Sequence, residues 1–192
     1  MGEFNIYNEM LDFKPLVELF TSKGERLELE RNEYFSRRGE RDSCMGYIEK
    51  GAFRYTCDDS DGNEHIISYA FEHEFFGNYS ASMNNCEALL DIRAIQKSVV
   101  YRLTVSEINS YFNSSMDTQY LGRRAAETVL FATSRRAISN YCETAEERYL
   151  ELIRRCPDIL NKIKLKELAS CLMVTPETLS RIRRKIVLQG KS

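Results

Sequence analysis

Residues Leu165 to Ile186 read LKELASCLMVTPETLSRIRRKI, and their spacing decides how the C-terminal part of the chain folds. Leu165, Leu168, Ala169 and Leu172 fall at i, i+3, i+4 and i+7, one face of a two-turn helix. Met173-Val174 make a short turn. Thr175 then suits an N-cap, because its hydroxyl accepts from a first-turn N–H. Pro176 suits the first helical position, where a missing N–H leaves nothing unpaired. Leu179, Ile182 and Ile186 supply the buried face of a second helix. Two short helices joined by a tight turn and burying facing stripes predict a helix-turn-helix.

The opposite face of the second helix carries the chemistry. Glu177 and Arg181 stand four apart near its start, where a recognition helix meets base edges. Arginine can pair with guanine through two hydrogen bonds, and a carboxylate can accept from the cytosine amino group. Thr175, Thr178 and Ser180 add hydroxyls, while Arg183, Arg184 and Lys185 offer charge to phosphates. The plainer alternative makes Glu177 and Arg181 a solvated ion pair worth roughly 0.2–0.5 kcal/mol.

Charge is distributed unevenly around this segment. From Asn161 onward eight Lys or Arg oppose only Glu167 and Glu177, a net +6, so the preceding residues carry −8 of a formal total of −2. A cationic end piece on an acidic body suggests a phosphate-binding module joined to a part that does not bind phosphate backbones.

Upstream, the punctuation changes. From about Ser114 to Tyr141 there is no proline and a single glycine, Gly122, among good helix formers. Leu121, Ala125, Val129 and Ala132 form a narrow apolar stripe, read here as a dimer seam, with packing on the chain's own β-domain as the alternative. Before it, a helical lead-in around Leu11–Phe20 precedes a β-rich region. Asp61-Gly62 between Arg54–Cys57 and His65–Phe71 is a hairpin signal, and further strands are expected at Ala88–Ile95 and Ser98–Thr104. Many short strands with turn punctuation indicate a sandwich or roll. The organisation is therefore α+β: an N-terminal β-roll over 1–113, a dimerisation helix over 114–141 and a helix-turn-helix domain over 142–192.

Composition excludes several classes. An apolar fraction of 43% with 29% charged residues is ordinary for a globular protein. No apolar run approaches the ~20 residues of a membrane helix, and MGEFNIYNEM lacks the basic-then-apolar start of a secretory signal, so a cytoplasmic location with no membrane partner is expected. The six cysteines are scattered without a Cys-x-x-Cys pair and are read as free, mostly packed thiols, with a redox-sensing thiol as the alternative. His65 and His73, eight positions apart, suit a metal site poorly, so no metal, cofactor or catalytic residue is expected.

Taken in order, these segments resemble the cyclic-AMP receptor protein and fumarate–nitrate reduction regulator (CRP/FNR) family over nearly the whole chain. The resemblance rests on Gly39-Glu40, Tyr47 through Arg54 (YIEKGAFR), Asp61-Gly62 and Phe75-Phe76-Gly77. It extends to Ala145-Glu146-Glu147-Arg148-Tyr149 with Pro157, and to Thr175 through Arg184 (TPETLSRIRR). It implies a jelly-roll, cyclic-nucleotide-binding-like domain followed by a dimer helix and a helix-turn-helix. Function by resemblance is transcription regulation by a homodimer on a palindromic double-stranded operator, with RNA polymerase as a partner and no enzymatic activity. Glu177 and Arg181 match base-reading positions and Thr175 a phosphate contact; Thr178, Ser180, Arg184 and Lys185 complete the expected DNA surface.

Three features depart from that pattern. Met173 stands where many members have a turn glycine, which is tolerable if the position avoids left-handed dihedrals. The sequence stops at Ser192, so the wing strands that often follow recognition are not expected. The effector pocket, placed at Phe76, Gly77, Asn78, Ala88 and Leu89, has Asn78 where cyclic-AMP binders have Glu, and Ala88-Leu89 where they have Arg–Ser. A nucleotide phosphate buried without its arginine would be an unpaired charge, so cyclic AMP is not expected to bind, and any effector is an unknown small molecule. Arg93 compensates only if it points inward, and Tyr69, Phe71, Phe76 and Tyr79 are candidates to fill the pocket. Two rival readings stay open: a ligand-binding β-roll that has lost transcriptional function, and a jelly-roll metalloenzyme.

Overall fold

The computed structural model describes residues 4–5, 10–41 and 43–189. Helix α1 (Lys14–Lys23) leads in, a few residues later than the sequence pattern suggested, because Pro15 sits in its first turn, where proline is tolerated. Among the described residues eight strands follow: β1 (Glu25–Leu29), β2 (Tyr34–Ser36), β3 (Cys44–Lys50), β4 (Ala52–Asp58), β5 (Glu64–Phe71), β6 (Phe75–Phe76), β7 (Asp91–Ala94) and β8 (Ser98–Thr104). They form two antiparallel four-stranded sheets, ordered β1-β8-β3-β6 and β2-β7-β4-β5. A short helix α2 (Tyr79–Met83) lies between β6 and β7. The expected hairpin is present as β4 and β5, with Gly62 at φ +82° in its loop. The strand expected from Ala88 begins only at Asp91, since the Ala88 backbone is committed elsewhere.

Between the sheets, Phe35, Ile48, Phe53, Phe76, Ile92 and Val100 make an apolar core. Outside the first sheet, α1 and α3 (Val105–Phe112) bury Leu16, Leu19, Phe20 and Ile108 against Met45, Tyr47 and Leu103. Thr104 and Glu107 form a reciprocal capping box that starts α3.

Helix α4 (Met116–Cys142) runs 27 residues from its Ser115 cap. Gly122 is the close-approach point onto α3: a Cβ there would sit 2.8 Å from the Phe112 ring. The first half of the stripe read as a dimer seam faces the chain itself. Leu121 packs with the α1/α3 cluster, Ala125 and Thr128 are buried, and Val129 and Ala132 are half-buried. Solvent meets a different line of large apolar groups: Tyr120, Leu130, Phe131, Ile138 and Tyr141. Glu127, Ser134 and a few arginines interrupt that line, so hydrophobicity alone does not mark it in the sequence.

After α4 come α5 (Ala145–Arg155), α6 (Ile159–Lys162), α7 (Leu165–Cys171) and α8 (Pro176–Gln189). Thr144 and Glu147 cap α5. Tyr149, Leu152, Ile159, Ile163, Leu168, Ala169, Leu172, Leu179 and Ile182 share one core, and that core continues into the roll through Ala52, Ile66, Tyr69 and Phe71. Phe4 closes it edge-on against the rings of Tyr69 and Phe71.

Candidate nucleic-acid interface and effector pocket

The α7–α8 pair is built as its sequence dictates, with one correction. Met173 lies at φ +58°, in the left-handed region the sequence argument required it to avoid. The reason is the stop it makes. The N–H of Met173 donates to the carbonyl of Ser170 at 3.0 Å, and that of Val174 to Ala169 at 3.0 Å. This pair of bonds is a Schellman stop, whose turn residue must be left-handed. The hydrogen bonds are kept, and methionine bears the steric cost that glycine would remove.

Thr175 caps α8, its Oγ1 accepting from the Thr178 N–H at 3.2 Å. Leu179 and Ile182 point into the core, while Thr175, Glu177, Ser180, Arg181 and Arg184 are exposed and Thr178 half-buried. No ion pair joins Glu177 to Arg181. The Glu177 carboxyl turns back instead: its own backbone N–H and the Thr175 hydroxyl hold it below the usual carboxylate range. Arg181 has no ion-pair or hydrogen-bond partner among the described residues. Lys185 is less free than the sequence implied, because its Nζ reaches Glu146 Oε2 of α5 at 2.6 Å.

Arg148, for which the junction motif alone suggests no contact, braces this unit. Arg148 donates to the Glu143 carbonyl at the end of α4 (2.6 Å) and to the Leu172 carbonyl at the end of α7 (3.0 Å). One guanidinium thus satisfies two helix C-termini and fixes the pair relative to α4. Arg136 of α4 similarly donates to the Ile67 carbonyl of β5 and lies 3.6 Å from Cys171 Sγ of α7. The only advance signal was that both arginines flank the junction.

Inside the roll, Phe76 stacks on Phe53 with centroids 4.4 Å apart and touches Phe35 at 4.3 Å. Of the four aromatic candidates only Phe76 fills this space: Tyr69 and Phe71 face the helical core, and Tyr79 packs towards α1 and α3. Gly77 adopts φ +147°, and its N–H donates to Tyr55 Oη at 3.2 Å, burial pushing that phenol well up. Asn78 is buried and donates to Ser36 Oγ (3.0 Å) and the Leu90 carbonyl (2.9 Å), while accepting from the Leu90 N–H (3.1 Å). Ala88 is buried, tied by its backbone to Gly39 and Glu40, but Leu89 is exposed and does not line the interior. Phe76, Gly77, Asn78 and Ala88 are thus each tied to neighbouring residues of the roll, with Phe76, Asn78 and Ala88 buried, whereas Leu89 faces solvent. Arg93 points away from this interior and pairs with Glu64 at 2.8 Å on the outer face.

The histidines lie apart: His65 Nε2 is 2.7 Å from Asp59 Oδ2 in the hairpin loop, and His73 Nδ1 is 3.3 Å from Tyr47 Oη. Only Cys156 is buried; Cys86 and Cys142 are exposed and the other three intermediate, which corrects the expectation of mostly packed thiols. Among the described residues, no helix is long and apolar enough to cross a membrane.

Comparison with known proteins gives the following. Residues 26–115 match the family described as cyclic nucleotide-binding domain. No curated protein matches the sequence. Among solved structures, the fold is similar to the c-di-GMP-responsive global regulator CLP of Xanthomonas campestris, at TM-score 0.66, 15% identity and 92% coverage of both chains. It is similar to FixK2 of Bradyrhizobium japonicum at TM-score 0.66, 20% identity and coverage of 87% of this chain and 86% of that one. A CooA mutant from Carboxydothermus hydrogenoformans gives TM-score 0.70 at 12% identity, with coverage of 91% and 85%.

Proposed function

We propose that this chain, which has the fold of the CRP/FNR-type regulators, is a sequence-specific DNA-binding transcription regulator that acts as a homodimer. The reading is carried by one observation: the α8 face with Thr175, Glu177, Ser180, Arg181 and Arg184 is solvent-exposed at the head of a helix whose other face is locked into the core. Arg181 reads a guanine, Glu177 accepts from a cytosine amino group after leaving its helix cap, and Thr175, Thr178, Arg184 and Lys185 hold phosphates. Dimerisation uses the exposed α4 line, Tyr120, Leu130, Phe131, Ile138 and Tyr141, set against its copy. Two α8 helices then enter successive major grooves about 34 Å apart on a palindromic operator.

The ring-filled roll interior and the latched Asn78 support a regulator that does not take cyclic AMP between its sheets. RNA polymerase is the partner that the resemblance implies.

Selection of binding sites from random duplexes tests the reading, followed by fluorescence anisotropy over a salt series. Specific affinity should fall steeply with salt, and Arg184→Ala should lower the slope by about one unit. Glu177→Ala with Arg181→Ala should relax base preference at roughly 1–3 kcal/mol per lost contact. A folded dimer that enriches no sequence at moderate salt overturns the proposal.

A further inference from the structure

We infer that the outer face of the second sheet carries an anion-binding site for a phosphate-bearing small molecule, whose place is now held by the carboxylate of Glu167. The strand register puts Tyr34 opposite Arg93, Arg93 opposite Arg54, and Arg54 opposite Tyr69, one row across β2, β7, β4 and β5. Directly opposed residues project on the same face, and two like charges so placed repel unless something bridges them. Glu64 is the bridge, at 2.8 Å from Arg93 Nη2 and 3.4 Å from Arg54 Nη2. Glu167 of α7 adds its Oε1 at 3.2 Å from Arg54 Nη1. A third guanidinium, Arg37, lies over the Tyr34 ring at 3.9 Å, with that of Arg93 at 5.5 Å from the same ring. Two guanidiniums thus share two carboxylates, with a third guanidinium on the neighbouring ring.

The row also holds donors with nothing to donate to. The Nε atoms of Arg54 and Arg93 and the Oη of Tyr69 are buried and without a hydrogen-bond partner, and the Tyr69 side chain is completely buried. Native interiors satisfy nearly all such groups. A guanidinium presents Nε and Nη together to an oxyanion, so the two arginines and the phenol form a donor set that a tetrahedral dianion satisfies. Neither arginine is freely solvated, their side chains being 17% and 18% exposed, so the cluster is not an ordinary surface patch.

The site also joins the roll to the helix pair. Glu167 keeps its second oxygen on the Lys164 N–H at 3.2 Å, so it can yield Arg54 without uncapping α7. One turn on, Ser170 Oγ accepts from the Ile66 N–H of β5 at 3.1 Å. An anion that takes Arg54 from Glu167 therefore removes the tie of α7 to β4 and loosens its seat on the sheet, and by reciprocity any partner that lifts α7 opens the anion site. The site itself does not depend on the DNA-binding reading.

The test titrates the full chain with inorganic phosphate at constant ionic strength, without DNA, following backbone amide NMR signals of Tyr34, Arg54 and Tyr69. Site-resolved saturation separates binding from the general stabilisation that phosphate gives. Saturation with a dissociation constant of roughly millimolar order is expected. Glu167→Gln, which removes the internal competitor, should bind several-fold more tightly. Arg93→Gln should bind at least tenfold more weakly. Tyr69→Phe removes only an unpartnered hydroxyl, so it should fold normally yet lose several-fold in affinity. Absence of saturable shifts at these amides, or an affinity unchanged in both Glu167→Gln and Tyr69→Phe, overturns the inference.

Discussion

Replacing Met173 by glycine should stabilise the protein, although it deletes a side chain. At φ +58° an L-residue other than glycine carries roughly 1–2 kcal/mol of steric cost. Glycine removes that cost but gains freedom in the unfolded chain, an opposing effect of roughly 0.5–1 kcal/mol. Little burial is lost, because the Met173 side chain is 67% exposed. The Schellman bonds to Ser170 and Ala169 are backbone bonds and survive. A net gain of about 0.5–1 kcal/mol follows, a rise in Tm of about 1–4 °C for a chain of this size. Thermal unfolding followed by circular dichroism measures it, and slower hydrogen exchange at the Met173 and Val174 amides localises it. Met173→Ala is the control, since alanine keeps the φ cost and should not raise Tm. A lower Tm for Met173→Gly, or an equal rise in both variants, would refute the argument.

Three further outcomes are expected. Leu130→Glu with Ile138→Glu, both on the exposed α4 line, should give a folded monomer in sedimentation experiments where the wild type is a dimer; an unaltered dimer would move the interface elsewhere. Asn78→Ala leaves the half-buried Leu90 N–H and carbonyl and the buried Ser36 hydroxyl without their side-chain partner, at a cost of about 2–3 kcal/mol in denaturant unfolding; unchanged stability would mean that water replaces the amide. Alkylation at pH 8 read by mass spectrometry should label exposed Cys86 and Cys142 first. Burial pushes the Cys156 thiol up to about 11 and also raises Cys171, so both stay protonated, as the unreactive thiol, at pH values below their raised pKa. Early labelling of Cys156 would contradict its burial.

What the local pattern determined is considerable. The α7–α8 pair was legible because Leu165, Leu168, Ala169 and Leu172, the Thr175-Pro176 start and Leu179-Ile182 all express short-range rules of helix periodicity and capping. Asp61-Gly62 announced the β4–β5 hairpin for the same reason. Only tertiary structure decided which side of α4 faces out, because Leu121 and Ala125 look like a seam until α3 and the roll are seen to cover them. It decided that Phe76, not Tyr69, fills the roll, since strand alternation fixes two faces but not which of them is inside. It alone aligned Tyr34, Arg93, Arg54 and Tyr69, residues up to 59 positions apart in sequence, into one row. Helix and turn signals are written within a few residues of one another. Register across strands and the choice of buried face are set by packing between distant segments, and no single segment carries that information.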